Sequence, residues 1–337
     1  MLSTRMTDML HIRYPIMQGG LHNLGVPELA AAVSEAGGLG TINAAQYDTE
    51  DAFRAAVRHL RSLTSKPCCV NFSRLPDVSV GQNAMRLFEI AAEEGVPVIE
   101  TVGGIKPDFA AAVKRLPFVW IHKVPNLTYA RKAEEAGADM VTAAGYECGG
   151  HPGREGIGTM ALTRLAASQL RIPVLAAGGI ADGAGLAAAL ALGAEGVVMG
   201  TRFVASEECP AHENFKNWIC AARETDTVLC MQKHNPMRAA NNAAARKMLE
   251  LEAQDAPRDA IMAVSAGTVG HRCYESGDVD GGIFPIGVAV GLIRQISSCR
   301  RIVEDTAVEA EAAIRRLEQL RQHNKSNQGG NSDDELA

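Results

Sequence analysis

The feature that most constrains this chain is a unit repeated eight times: a short apolar run, then a stretch with helical spacing that often closes on glycine. The runs are Pro15–Gln18, Leu39–Asn43, Pro67–Phe72, Pro97–Val102, Phe118–Val124, Asp139–Ala144, Pro173–Ala177 and Gly196–Gly200. They alternate little between apolar and polar residues, as strands buried on both faces do. Between them, apolar residues recur at three and four over Pro27–Ala36, Thr49–Leu63, Gly81–Glu94, Pro107–Arg115, Leu127–Ala136, Met160–Leu170 and Gly183–Leu192. Three junctions share one form: Gly95-Val96-Pro97, Gly137-Ala138-Asp139 and Gly193-Ala194-Glu195 each stop a helix and turn into a strand.

Eight strand–helix repeats predict an α/β chain folded as a TIM (β/α)8 barrel. A doubly wound sheet is the alternative, weakened because no G-x-G-x-x-G follows the first strand. The length of 337 residues suits one barrel with an addition, since barrels run from roughly 200 to over 400 residues. After Phe203 the rhythm breaks. Residues 205–282 read as a helical insertion without strand signal, beside a barrel formed by 1–204 and 283–322. Gly287–Ser298 is the candidate last barrel helix, Val303–Gln322 a charged terminal helix, and 323–337 a polar, disordered tail.

A net charge of −6 gives no basic field for a polyanion, which argues against nucleic acid. No run approaches the roughly 18 apolar residues of a membrane helix, and Met1–Leu10 has no signal-like apolar core. The eight cysteines, Cys68, Cys69, Cys148, Cys209, Cys220, Cys230, Cys273 and Cys299, form no C-x-x-C pair. They read as reduced thiols of a cytoplasmic protein.

Barrel active sites lie at the C-terminal ends of the strands. There the sequence places Gln18-Gly19-Gly20-Leu21-His22, Asn71, Glu100, Thr101, His122, Lys123 and the loop Gly145–Gly153. The loops after the seventh and eighth strands carry Ala177-Gly178-Gly179 and Gly200-Thr201, where barrels commonly hold a phosphate. Bare glycine amides can reach its oxygens, a helix N-terminus adds its dipole, and Thr201 adds a hydroxyl. Lys123 ends an apolar strand, so its ammonium can meet a flavin or nucleotide anion; a surface lysine is the alternative. Asn71 can bond a flavin ring edge or cap the next helix, and His22 can contact a ligand or neighbour a cap.

His151 stands in the glycine-rich segment Cys148-Gly149-Gly150-His151-Pro152-Gly153 and can take a proton near neutral pH. A Cys148–His151 nucleophile lacks an evident third residue. A metal on His122, His151 and carboxylates matches no standard spacing. Lys233 and Arg238 of the insertion can meet a dinucleotide, but read more simply as solvated charges.

Together these segments resemble the nitronate monooxygenase family, formerly called 2-nitropropane dioxygenases, from about Tyr14 to Ile293. The resemblance rests on Pro15–Gly20, Ala36–Gly40, Val70-Asn71, Ile121–Lys123, Tyr146–Gly153, Ala177–Gly179, Met199–Phe203, Gly277–Gly282 and Gly287–Ile293. The Cys-x-Gly-His-Pro-Gly form is most similar to the branch containing NADH:quinone reductases; the family also includes FMN-containing enoyl-acyl carrier protein reductases. The resemblance implies bound FMN contacted by Gly20, Leu21, His22, Asn71, Lys123, Gly149, Ala177, Gly178, Gly179, Gly200 and Thr201, with His151 as catalytic base or substrate contact. It implies oxidation of nitronates by O2, or, alternatively, transfer of hydride from NADH or NADPH through FMN to a quinone. A flavin- or phosphate-binding barrel without turnover is a remoter alternative, and a homodimer is compatible with each. Two departures stand out. Ala144 replaces an acidic residue common in related chains, and Leu21-His22-Asn23 stands where close relatives often carry Met-Gln-Trp.

Overall fold

The computed structural model describes residues 2–75, 84–233 and 235–328. Eight parallel strands form its centre: β1 (Ile16–Gln18), β2 (Gly40–Asn43), β3 (Cys68–Leu75), β4 (Val98–Gly103), β5 (Val119–Val124), β6 (Met140–Ala144), β7 (Val174–Ala177) and β8 (Gly196–Met199). Each pairs with its neighbour in sequence, and β8 pairs with β1, Ile16 opposite Val197. The β1–β2 seam closes the ring. Gln18 N–H donates to the Leu39 carbonyl at 3.0 Å and Leu39 N–H to that of Ile16 at 2.9 Å. The buried Gln18 amide reinforces this seam by donating to the Thr41 carbonyl and accepting from the Thr41 N–H. The protein is therefore a closed barrel, and all eight expected strands are present.

Helices α1 (Arg5–Leu10), α2 (Pro27–Glu35), α3 (Glu50–Leu63), α4 (Ala84–Glu93), α5 (Pro107–Val113), α6 (Leu127–Ala136), α7 (Thr159–Gln169) and α8 (Gly183–Ala191) accompany the strands. Expected residues 81–83 of α4 fall outside the described residues. Gly95, Gly137 and Gly193 take φ of +72°, +90° and +95°, a region that penalises a Cβ, which is why the strand-entry phrase carries glycine. Inside the barrel, Met17, Leu39, Cys69, Val98, Ile121, Met140, Leu175 and Val198 fill the centre. Met6 of α1 plugs the barrel's N-terminal end against Gly196, which leaves no room for a side chain there. The opposite end is left to the loops.

Four corrections concern the C-terminal third. Beyond the one-turn α9 (Thr201–Val204), residues 205–282 hold α10 (Glu213–Ala221), α11 (Ala243–Ala253), α12 (Arg258–Ser265) and α13 (Gly267–Ser276). They also hold an antiparallel hairpin, β9 (Thr227–Cys230) with β10 (Met237–Ala240), which the sequence reading missed. Met237-Arg238-Ala239-Ala240 favours a helix locally. Pairing with β9, and burial of Cys230, Met237 and Ala239 against α11, override that preference. Gly287–Ser298 is not the last barrel helix, since only Val288–Leu292 forms a 3-10 turn there. The last place in the ring, against α8 and α2, belongs to α14 (Cys299–Gln328). That helix extends past the expected start of the tail at residue 323, and residues 329–337 lie outside the described residues. Among the described residues no helix is long and apolar enough to cross a membrane.

Candidate active site

At the C-terminal end of the barrel the loops enclose a cavity of about 930 Å3. This is near the top of the roughly 300–1,000 Å3 range of small-molecule sites. Its lining includes Gly20, Leu21, His22, Asn71, Lys123, Gly149, Ala177, Gly178, Gly179, Gly200, Thr201 and His151, so the expected cofactor contacts and His151 border one space. Arg238 and Lys233 do not line it; Lys233 is an exposed charge, as the sequence suggests, whereas Arg238 is buried. Arg238 is 8% exposed, donates from Nε to the Tyr146 carbonyl at 3.1 Å and lies over the Tyr146 ring. Lys233 pairs with Asp255.

The loops after β7 and β8 present bare backbone. Gly178 and Gly179 have φ of +109° and +72°. Among the described residues the N–H groups of Gly178, Gly179 and Gly200 donate to no other group of the chain. A Cβ on Gly200 would meet only Leu21, at 3.7 Å. Such amides on open space suit phosphate oxygens. At the N-terminus of α8 two amides are already taken within the chain. Gly183 N–H donates to Glu309 of α14 at 2.9 Å and Gly185 N–H to Asp182 at 2.8 Å. Thr201 Oγ1 accepts from Gly287 N–H at 3.0 Å and keeps its own proton to give.

Lys123 and Asn71 meet on a residue to which the sequence reading assigned no role. Glu100 on β4 is fully buried. Its Oε2 takes the Lys123 ammonium at 3.1 Å and the Asn71 Nδ2 at 2.5 Å, and its Oε1 accepts from the Thr142 hydroxyl at 3.1 Å. Burial pulls the Lys123 pKa down, but the charge and hydrogen bond of Glu100 outweigh it and leave it above the ordinary lysine value. The available signal was Val98-Ile99-Glu100, an acid directly after apolar residues of a buried strand, which demands partners. Gly20 is bare for the same cluster, because a Cβ there would lie 2.5 Å from Asn71 Cγ.

Below the cavity a second polar chain links Trp120 Nε1 to Thr101 Oγ1 at 2.7 Å and Thr101 Oγ1 to His122 Nδ1 at 2.7 Å. Trp120 can only donate, so the threonine oxygen accepts from it and shares one further proton with His122 Nδ1. Burial pushes the His122 pKa down to about 4, against the opposing pull of Glu100 and the Gly103 carbonyl, so the ring is neutral.

His151 is exposed at the cavity wall, and its Nδ1 lies 3.0 Å from the Pro236 carbonyl. A carbonyl has no proton to give, so Nδ1 carries the hydrogen and Nε2 holds the lone pair of the neutral ring. The hairpin fixes this arrangement. Gly150 N–H donates to the Arg238 carbonyl at 3.0 Å, and Arg238 N–H to that of Gly150 at 2.7 Å. Cys148 is no thiolate nucleophile, because burial pushes its pKa up to about 12. Among the described residues no three His, Cys, Asp or Glu side chains are grouped to hold a metal.

The two departures also line the cavity. Ala144 ends β6 with no carboxylate, and the next acid, Glu147, is spent on the N–H and hydroxyl of Thr159. Asn23 donates from Nδ2 to the Gly267 carbonyl at 3.1 Å, which ties the first loop to α13. Leu21 and Asn23 take φ of +33° and +66°, so this loop holds two non-glycine residues in the left-handed region beside the cavity.

Comparison with known proteins agrees with this geometry. A family model described as nitronate monooxygenase matches residues 3–309. A probable nitronate monooxygenase of Staphylococcus saprophyticus is 36% identical, over 74% of this chain and 82% of the relative. A nitronate monooxygenase of Paraburkholderia phytofirmans is 34% identical, over 64% of this chain and 71% of the relative. Among solved structures, FabK from Thermotoga maritima is 39% identical, with a TM-score of 0.88 over 95% of this chain and 100% of that one. Nitroalkane oxidase from Streptomyces ansochromogenes is 28% identical, with a TM-score of 0.78 over 93% and 99%. The chain belongs to the nitronate monooxygenase family, a family of flavin-dependent oxidoreductases.

Proposed function

We propose that the cavity holds FMN and that the protein oxidises alkyl nitronates, and the nitroalkanes that yield them, with O2 to a carbonyl compound and nitrite. The observation that carries this reading is the division of the cavity into complementary parts. Unpaired amides at Gly178, Gly179 and Gly200 suit a phosphate, Lys123 and Asn71 on the floor suit a ring edge, and His151 on the wall presents a basic nitrogen. FMN fits this donor set, and when bound it supplies the electron chemistry that side chains lack.

The chain's own residues do the rest. His151 Nε2 takes the proton from the carbon bearing the nitro group; the C–H electron pair stays behind and gives the nitronate. The imidazolium formed keeps its Nδ1–H on the Pro236 carbonyl, which stabilises the positive ring where it arises. A nitronate that arrives already ionised needs no proton transfer and is held by the same ring. Lys123 places positive charge at the floor, where it favours added electron density.

The test begins with the visible spectrum of the purified protein. Yellow protein that releases nitrite from 2-nitropropane nitronate in air, and is not bleached by NADH or NADPH without oxygen, supports the reading. Rapid bleaching by NADH or NADPH, with quinone reduction and no nitrite, would replace it with the reductase. Protein that stays colourless and cannot be reconstituted with FMN would remove both.

A further inference from the structure

We propose that Glu100 is the positioning residue of the cavity floor: its one carboxylate keeps Lys123 a cation and turns the Asn71 amide so that its oxygen is the atom offered to the ligand. The side-chain arrangement stands by itself; the identity of the ligand rests on the flavin reading above.

The geometry leads there directly. Lys123 Nζ and Asn71 Nδ2 contact the same oxygen, Oε2 of Glu100. The two are therefore neighbours, and their common partner is fully buried. A carboxylate only accepts, so the Asn71 amide must direct NH2 toward it, which leaves Oδ1 for the cavity side. The floor thus offers an ammonium beside an amide oxygen. A ring edge with an acceptor next to an N–H meets both, and the pyrimidine edge of a flavin is such an edge. Thr142 holds the other carboxylate oxygen and stops the acid from turning away.

The groups facing Lys123 leave Glu100 as its counter-charge. Cys69 of β3 and Cys148 of the β6–α7 loop are both thiols raised by burial, and His122 on its own strand is neutral. Glu147 and Arg238 lie further out, where they act on Cys148 with opposite signs. A glutamine at position 100 could turn its NH2 to Thr142, whose hydroxyl can accept it, and keep its carbonyl oxygen toward Lys123 and Asn71, but it would carry no counter-charge. It would also leave the burial of Lys123 uncompensated, so the lysine would lose its proton at lower pH.

The experiment titrates lysine-13Cε-labelled protein by NMR, with Lys123 identified by the signal missing from Lys123→Met, and measures FMN binding to the apoprotein at pH 7 to 9. Wild-type Lys123 is expected at or above the ordinary value of about 10.4, with FMN affinity flat over that range. In Glu100→Gln it is expected well below, with affinity falling about tenfold per pH unit above the new pKa. Glu100→Asp, which keeps the charge, should restore most of both. An identical Lys123 titration in wild type and Glu100→Gln overturns the proposal. If Glu100→Gln does not fold, a wild-type Lys123 that titrates below the ordinary value overturns it equally. If the titrations behave as expected but wild-type protein binds no FMN, Glu100 keeps its role and the flavin reading falls.

Discussion

Gly178→Ala makes the sharpest structural test of the loop that would hold the phosphate. Gly178 has φ of +109°, and a Cβ there would sit 2.7 Å from Thr159 Oγ1 and 3.0 Å from both the Cys148 N and Sγ. Neither main neighbour can yield cheaply. Thr159 is tied to Glu147 and the Ala177 carbonyl, and the Cys148 N–H donates to the Gly145 carbonyl. Holding alanine at such a φ costs about 1–3 kcal/mol, and forcing a methyl into a packed site costs about 1–3 kcal/mol more. The sum is about 2–6 kcal/mol, which at a urea slope of about 3 kcal/mol/M lowers the unfolding midpoint by roughly 1–2 M. Gly95→Ala is the control, since φ there is +72° but a Cβ meets nothing within 4 Å. It should lose only the backbone cost, about 1–2 kcal/mol. Equilibrium urea unfolding of the two variants decides, and equal losses would refute the claim that Gly178 is required by close packing.

Other consequences are as direct. Because the folded His122 pKa lies near 4 and the unfolded one near 6.5, the unfolded state binds the proton first; stability should fall as pH drops from about 6.5 to about 4, by about 3 kcal/mol. His122→Gln should flatten that part of the stability–pH curve, and an unchanged slope would contradict the assignment. Cys148, with its thiol near 12, should resist iodoacetamide in native protein at pH 8; mass spectrometry showing it alkylated as fast as an unfolded thiol would contradict its raised pKa. Thr142→Val removes a donor to buried Glu100 and should cost about 1.5–3 kcal/mol in unfolding experiments, against only about 0.5–1.5 kcal/mol if the acid were uncharged.

What the sequence disclosed follows the range of the interactions involved. The eight strands were legible because each is a buried apolar run set off by local glycine or proline. The loops that gather Gly178, Gly200, Lys123 and His151 followed once those strands were closed into a barrel. The supports of these residues were not legible. Glu100 draws its partners from β3, β5 and β6, with Asn71 and Thr142 lying 29 and 42 positions away. His151 takes its Nδ1 partner from Pro236, 85 positions on, beside a hairpin strand whose residues favour helix. Nor could spacing reveal that the α8 N-terminus is claimed by Glu309 from the far end of the chain.

The most direct test of the account compares a neutral nitroalkane with its preformed nitronate on wild-type protein and on His151→Ala, with FMN content measured by absorbance. His151→Ala should retain FMN and lose about 10²–10⁴-fold in turnover of the neutral nitroalkane, the usual worth of a positioned base. Its turnover of the nitronate, which needs no proton removed, should fall far less. Equal losses on both substrates would show that His151 does not act by taking the proton, and unchanged turnover of the neutral substrate would remove it from the reaction.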